Sequence, residues 1–436
     1  MYRKLLEDLK KWKEKKGRKP LILEGARQVG KTWLMKKFGE EYYSNMVYIN
    51  FDENTQIGAL FNKGLDVTQI IAGLEIFTNE KISPHSTLII FDEIQEEPRA
   101  LASLKYFWEN APEYHVICAG SLLGLALHQG TTFPVGKVEF LKIYPLSFLE
   151  FLQATKRENL AQLLANEQQE LISALKEKYI DALREYYFVG GMPEVVANFA
   201  DKGNFLEARE IQKRLLTAYE QDFSKHAPVE IVPKIRMVWN SILSQLAKEN
   251  KKFVYGLIRE GARAKDFETA IMWLCDCGLI HRVGRVNRGY LPLKAYEDLK
   301  AFKLYFLDIG LLGCMAGLEA KVLLFQGEIF KEFKGALAEQ YVLQQLIATT
   351  EFGVYYFTNE RNSCEVDFVL DTGSAAVPLE VKAQTNLQAK SLKTFAEKFS
   401  IPLSIRSSMA DYKPQDGFLN LPLYQIANLK KYLKNF

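Results

Sequence analysis

Residues 19–32 read KPLILEGARQVGKT: a short apolar run, a glycine, four residues, a second glycine, then lysine and threonine. This stretch decides the fold. Gly25-Ala26-Arg27-Gln28-Val29-Gly30-Lys31-Thr32 fits G-x-x-x-x-G-K-[ST], with a strand-like run before it (Leu21 to Leu23) and a helical stretch after it (Trp33 to Phe38). Glycines let a backbone wrap tightly enough for its N–H groups to point inward at phosphate oxygens, and the following helix N-terminus favours negative charge. The pattern assigns Gly25 through Trp33 to nucleotide binding, with Lys31 on the β/γ-phosphates and Thr32 on a magnesium ion.

Working outward, LILEG (21–25), MVYINF (46–51), TLIIFDE (87–93) and YHVICAGS (114–121) are short apolar runs alternating with helical stretches. Such alternation argues an α/β fold with a parallel sheet and crossover helices. Asp92 and Glu93 follow four apolar residues, as at the C-terminal end of a buried parallel strand, where the ligands of α/β proteins lie. Asp92 is expected to hold magnesium, and Glu93 to act as general base on a water. The run 115–119 ends in Gly120-Ser121; Ser121 reads equally as a γ-phosphate sensor and as a helix N-cap. Charge developing on a γ-phosphate calls for a further cation, for which Arg27, Arg99 and Lys137 are the candidates.

The 436 residues are 48% hydrophobic, 25% charged and 12% aromatic, which excludes a disordered or low-complexity chain and suggests two to four domains. No stretch reaches the roughly 18 to 20 apolar residues of a membrane span, and the N-terminus carries charge where a signal peptide would be apolar, so a cytoplasmic protein is expected. The five cysteines are odd in number and scattered, as reduced core thiols would be, and the five histidines are far apart; no zinc site is expected.

The net charge of +3 is unevenly spread. Residues 1–20 hold nine Lys/Arg against three acids, and residues 234–300 hold thirteen against seven. The region from about 150 to 280 reads as mostly helical, broken at Gly190, Gly191 and Pro193. Within it, MVWNSILSQLAKEN, YGLIREG and RAKDFETAIMWLCDCG read as three helices, followed by two short strands carrying Arg282, Arg285 and Arg288, a pattern consistent with a winged helix. Its basic residues could neutralise DNA phosphates or serve only as a solvated face.

From about 330 the chain reads as a second α/β unit: helix, three strands, helix, strand. Glu339 lies on the helix, Asp367 on a strand, and Glu380-Val381-Lys382 on the next. This order resembles the PD-(D/E)XK nuclease fold. Alternate strand residues share a face, so Glu380 and Lys382 point the same way. The resemblance implies magnesium held by Asp367 and Glu380, with Lys382 orienting a water. A binding fold with solvated or paired carboxylates accounts for the same residues. Arg361 and Gln384 could join the set.

KPLILEGARQVGKT, LIIFDEIQ, GSLLG, FPVGK, PLSFLEF, YYFVGGMPEVV and FKLYFLDIGLL together resemble the prokaryotic AAA-superfamily ATPases that carry a C-terminal domain of unknown function. The resemblance covers nearly the whole chain and implies ATP and Mg2+ as cofactors. It suggests a P-loop ATPase domain over 1–150, a helical lid or linker over 151–233, a winged-helix-like domain over 234–300 and a nuclease-like domain over 301–436. Two functions stay open: an ATP-dependent switch or motor coupled to DNA, and an ATP-regulated module for a protein partner. No residue compels a ring, and a monomer or dimer fits as well.

Overall fold

The computed structural model describes residues 2–62, 64–120, 133–248, 252–321, 331–359, 364–383 and 390–435. The chain divides into two compact units, one comprising Tyr2–Tyr144 with Asp276–Gly278, the other Pro145–Cys275 with Leu279–Phe436.

In the first unit, β1 (Leu21–Glu24), β2 (Asn45–Asn50), β3 (Thr87–Asp92), β4 (His115–Gly120) and β5 (Glu139–Lys142) form one sheet in the order β2-β3-β4-β1-β5, every neighbouring pair parallel. All six residues of β3 and of β4 are buried, which is why these strands read as unbroken apolar runs and not as alternating ones. The chain runs from β1 to the far edge at β2 and returns through β3 and β4 to lie beside β1 again. It then crosses to β5. That reversal opens a crevice at the C-terminal ends of β1, β4 and β3. The charged N-terminal segment is the helix α1 (Leu5–Glu14), with Leu6, Leu9 and Trp12 buried at helical spacing and the Trp12 indole donating to Lys19 O at 2.8 Å.

The second unit opens with helices spanning Phe148 to Leu246. The break at Gly190 is a backbone requirement. Gly190 has φ of +75°, and a Cβ there would meet Asp308 Oδ1 at 2.1 Å. Pro193 then starts the helix Pro193–Lys202. Beyond the helices, β6 (Ile280–Val286), β7 (Glu297–Phe306), β8 (Gly353–Thr358), β9 (Glu365–Asp371), β10 (Ala376–Val381), β11 (Ser404–Ser408), β12 (Lys413–Gln415) and β13 (Phe418–Pro422) form a single mixed sheet, ordered β12-β13-β11-β10-β9-β8-β6-β7.

Two sequence expectations are corrected here. The hairpin expected as the wing of a separate domain pairs in parallel with β8 through Gly284–Tyr355 to Val286–Phe357, so it is the edge of the C-terminal sheet, and a boundary at 300 would cut β7. A hairpin after a helix looks the same locally whether it stands alone or extends a larger sheet. YGLIREG is also not a helix: only Tyr255–Leu257 makes a 3-10 turn before the helix Ala264–Asp276, the glycines at 256 and 261 weakening any longer helix.

Buried amides on the helix Lys331–Thr349 fasten this unit. Gln340 exchanges two hydrogen bonds with the Phe306 backbone, at 2.8 and 2.7 Å; Gln344 accepts from Ile309 N at 2.9 Å, and Gln345 from Phe148 N at 2.7 Å. Asp308, fully buried, accepts from Gly191 N at 2.6 Å, Leu311 N at 3.0 Å and Gln344 Nε2 at 2.8 Å. Burial raises its pKa against these donors. Asp308→Ala strands three buried donors and is expected to cost on the order of 3 kcal/mol. Urea unfolding followed by tryptophan fluorescence checks this; an unchanged midpoint would mean the donors find other partners.

Candidate functional site

The loop after β1 closes through backbone geometry that only its glycines tolerate. Gly25 has φ of +156°, and a Cβ there would lie 2.3 Å from Ile143 O. Gly30, with φ of +93°, precedes α2 (Lys31–Tyr42) and turns the chain into it. Lys31 is 6% exposed and donates to Gly25 O and Ala26 O, both at 2.8 Å. No carboxylate among the described residues lies within ion-pair distance of it. Burial lowers its pKa to about 8, and the more distant charges of Glu93 and Asp92 offset this only in part. Arg27, one of the three candidate cations, adds repulsion. Lys137 instead pairs with Glu109 at 2.9 Å and lies over the Trp108 ring, and Arg99 is exposed.

Thr32, in the first turn of α2, donates its hydroxyl to Asp92 Oδ2 at 2.6 Å. Asp92 is 3% exposed at the end of β3, and its pKa is raised by burial against the hydrogen bonds from Thr32 and Tyr48. Tyr48 Oη donates to the same Asp92 Oδ2 at 2.9 Å, and Lys36 Nζ lies 3.7 Å from the centre of its ring. The sequence reading passed over Tyr48, because a tyrosine in an apolar strand looks like core. Its signal lies in the pairing: Tyr48 stands opposite Ile90 and two residues before Asn50, which is opposite Asp92, so both residues share a face with the carboxylate.

Glu93 leaves the strand with φ of +49°, a left-handed conformation uncommon outside glycine, and this turn directs it away from the run of β3. Gln95 Nε2 donates to Glu93 Oε2 at 2.7 Å. The loop that begins at Gly25 and the pair Asp92-Glu93 thus lie at the C-terminal ends of β1 and β3, joined by the Thr32–Asp92 hydrogen bond, while Ser121 lies outside the described residues.

The nuclease-like residues also gather, in the second unit. Glu339 is 5% exposed and accepts from Tyr305 Oη at 3.1 Å. Asp367 Oδ2 accepts from Val381 N at 2.8 Å, and Glu380 Oε1 lies 2.6 Å from Lys382 Nζ. A residue the sequence reading did not weigh joins them: Lys303 Nζ, from β7, is 2.7 Å from Glu365 Oε1 and 4.0 Å from Glu339 Oε2. Its signal was visible as one charge inside the run AFKLYF. Arg361 and Gln384 lie outside the described residues. Among the described residues no group of three or more His, Cys, Asp or Glu is arranged to hold a metal ion, and no helix is long and apolar enough to cross a membrane.

Of the wing arginines, Arg285 is half-buried and hydrogen-bonded to Asp298, Arg282 donates to Leu299 O at 2.9 Å, and Arg288 stacks over Tyr296. Arg259, Arg263 and Lys265 are exposed.

Comparison with known proteins agrees with the loop. Residues 17–152 match the AAA domain family, residues 180–322 match a domain of unknown function (DUF8612), and residues 334–426 match another (DUF4143). No curated protein matches the chain. Among solved structures, the chain is similar to a Walker-type ATPase of Pyrococcus abyssi, at 16% identity over 71% of this chain and 94% of that one, with a TM-score of 0.44. It is similar to the ORC2 protein of Aeropyrum pernix in its ADPNP-ADP complexes, at 11% identity over 73% and 94%, TM-score 0.36. It is also similar to the Holliday junction branch migration motor RuvB of Thermotoga maritima, at 15% identity over 64% and 87%, TM-score 0.29. The match to the AAA domain family over residues 17–152 thus contains the glycine-lysine-threonine loop and both carboxylates at the end of β3.

Proposed function

We propose that this chain binds magnesium-ATP at residues 25–33 and hydrolyses it. The observation that carries the reading is the meeting of Thr32 and Asp92 at 2.6 Å beside a buried lysine that no carboxylate among the described residues pairs. A buried ammonium held, among the described residues, by two carbonyls is an unfinished electrostatic arrangement, and phosphate oxygens would complete it. The Thr32 hydroxyl and Asp92 carboxylate are hard oxygen donors of the kind Mg2+ takes while keeping several waters. Bound there, the ion would neutralise charge developing on the phosphates. Thr32 and Asp92 would hold it, Tyr48 would fix the Asp92 carboxylate, and Glu93, set by Gln95, would accept the proton of the attacking water.

Lys31→Ala is expected to weaken ATP binding about 10- to 100-fold, the worth of a charge-assisted hydrogen bond or two. Glu93→Gln is expected to keep binding and lower turnover by a factor on the order of 100 to 10,000. Equilibrium binding and phosphate release measure the two; ATP held as tightly by Lys31→Ala as by the wild type would refute the site.

The depressed lysine pKa gives a pH dependence with a definite sign. Phosphates would raise the pKa of Lys31 above its free value of about 8, so affinity is full below that pH and falls as the free protein loses the proton above it. The expected slope is up to about tenfold per pH unit. Titrating a non-hydrolysable ATP analogue from neutral to alkaline pH, with Lys31→Ala as the pH-insensitive control, reads it out.

The downstream partner we infer is DNA, contacted through the exposed Arg259, Arg263 and Lys265 of the basic segment. A protein partner is the second reading, favoured by Val254, Leu257 and Leu299, which are 40%, 39% and 71% exposed in that same segment. Turnover stimulated by DNA, falling with salt and lost when the three basic residues are replaced by alanine, supports the first. Turnover indifferent to DNA at low salt leaves the protein partner.

A further inference from the structure

The C-terminal carboxylates do not fit the divalent metal that the nuclease-like pattern implies, because a side chain of this chain already stands among them. Lys303 has a side chain 1% exposed and reaches in from β7 to within 2.7 Å of Glu365 and 4.0 Å of Glu339. Glu339 belongs to the nuclease-like set, so a divalent ion that drew on it at about 2 Å would compete for the space the Lys303 ammonium fills. The other members have partners too: Tyr305 donates to Glu339, the Val381 N–H to Asp367, and Lys382 pairs with Oε1 of Glu380, whose Oε2 is buried without a hydrogen bond among the described residues.

We propose that Lys303 is the resident cation of this cluster, standing in the place of a divalent metal, and that the C-terminal unit consequently neither binds such a metal at these residues nor cleaves phosphodiesters. The cluster joins three elements distant in sequence: Lys303 on β7, Glu365 on β9 and Glu339 on the helix Lys331–Thr349. It therefore pins the β6-β7 hairpin to the body of the sheet. Burial works against the charge on Lys303, yet Glu339, Glu365 and Asp367 outweigh it and hold its pKa above the ordinary lysine value, so the ammonium is permanent at neutral pH. Loss of one member from such a buried set leaves an uncompensated charge, which is how a structural cluster differs from an open metal site. This inference is independent of the ATP-binding reading and can fail without it.

The test is Mn2+ binding to the full-length, nucleotide-free protein, followed by electron paramagnetic resonance, beside a plasmid-cleavage assay in Mg2+ or Mn2+. The wild type is expected to bind the same amount of Mn2+ as Asp367→Asn and Glu365→Gln, and to leave the plasmid intact. Lys303→Met is expected to gain a saturable Mn2+ site that Lys303→Met/Glu365→Gln loses again. A wild-type Mn2+ site that disappears in Asp367→Asn overturns the proposal, as does cleavage lost in both Asp367→Asn and Lys382→Ala. A folded Lys303→Met that gains no Mn2+ overturns it equally. The wild-type comparison decides even where Lys303→Met does not fold.

Discussion

The hydrogen bond from Thr32 to Asp92 ties together two residues sixty positions apart, and the geometry of the first unit exists to make it. β1 and β3 are not neighbours; β4 lies between them, so at about 4.8 Å per strand their ends stand about 10 Å apart. The loop after β1 and the first turn of α2 span that distance. They can do so because the left-handed glycines at 25 and 30 let the chain double back over its own strand end instead of continuing past it.

This explains which parts of the molecule were legible in the sequence. The glycine loop, β3 and its two acids declare themselves because each local preference agrees with the fold: apolar runs buried on both faces, turn glycines where φ must be positive, carboxylates just past the strand end. Tyr48 did not, since a hydrogen bond made across two strands depends on strand order, and no local pattern carries strand order. The hairpin β6-β7 misled for the same reason. Its sequence specifies two antiparallel strands, but whether they stand alone or continue through β8 is settled only by what β6 meets on its other side.

The glutamines of the helix Lys331–Thr349 show a further limit. QYVLQQL reads as an amphipathic stretch with a polar side, yet Gln340, Gln344 and Gln345 are all buried and their amide oxygens accept from the backbone N–H groups of Phe306, Ile309 and Phe148. A buried amide is tolerable only when its partners are fixed, so these contacts specify one arrangement of helix, strand and turn instead of merely adding stability. Asp308 works alike, its carboxylate collecting backbone N–H groups from two segments more than a hundred residues apart.

Two buried lysines, one in each unit, stand in opposite electrostatic surroundings. Lys31 and Lys303 are both almost fully removed from solvent, and desolvation disfavours the charge of each. Around Lys31 the chain supplies carbonyls at hydrogen-bonding distance and keeps its carboxylates farther off, so the balance tips against the ammonium and its pKa falls to about 8. Around Lys303 it supplies carboxylates from two other elements, the helix Lys331–Thr349 and β9, and the balance tips the other way. The motifs alone make both regions look like metal-and-phosphate chemistry. The difference lies in how far the described residues neutralise each buried charge: carbonyls alone at hydrogen-bonding distance from Lys31, a carboxylate at that distance from Lys303.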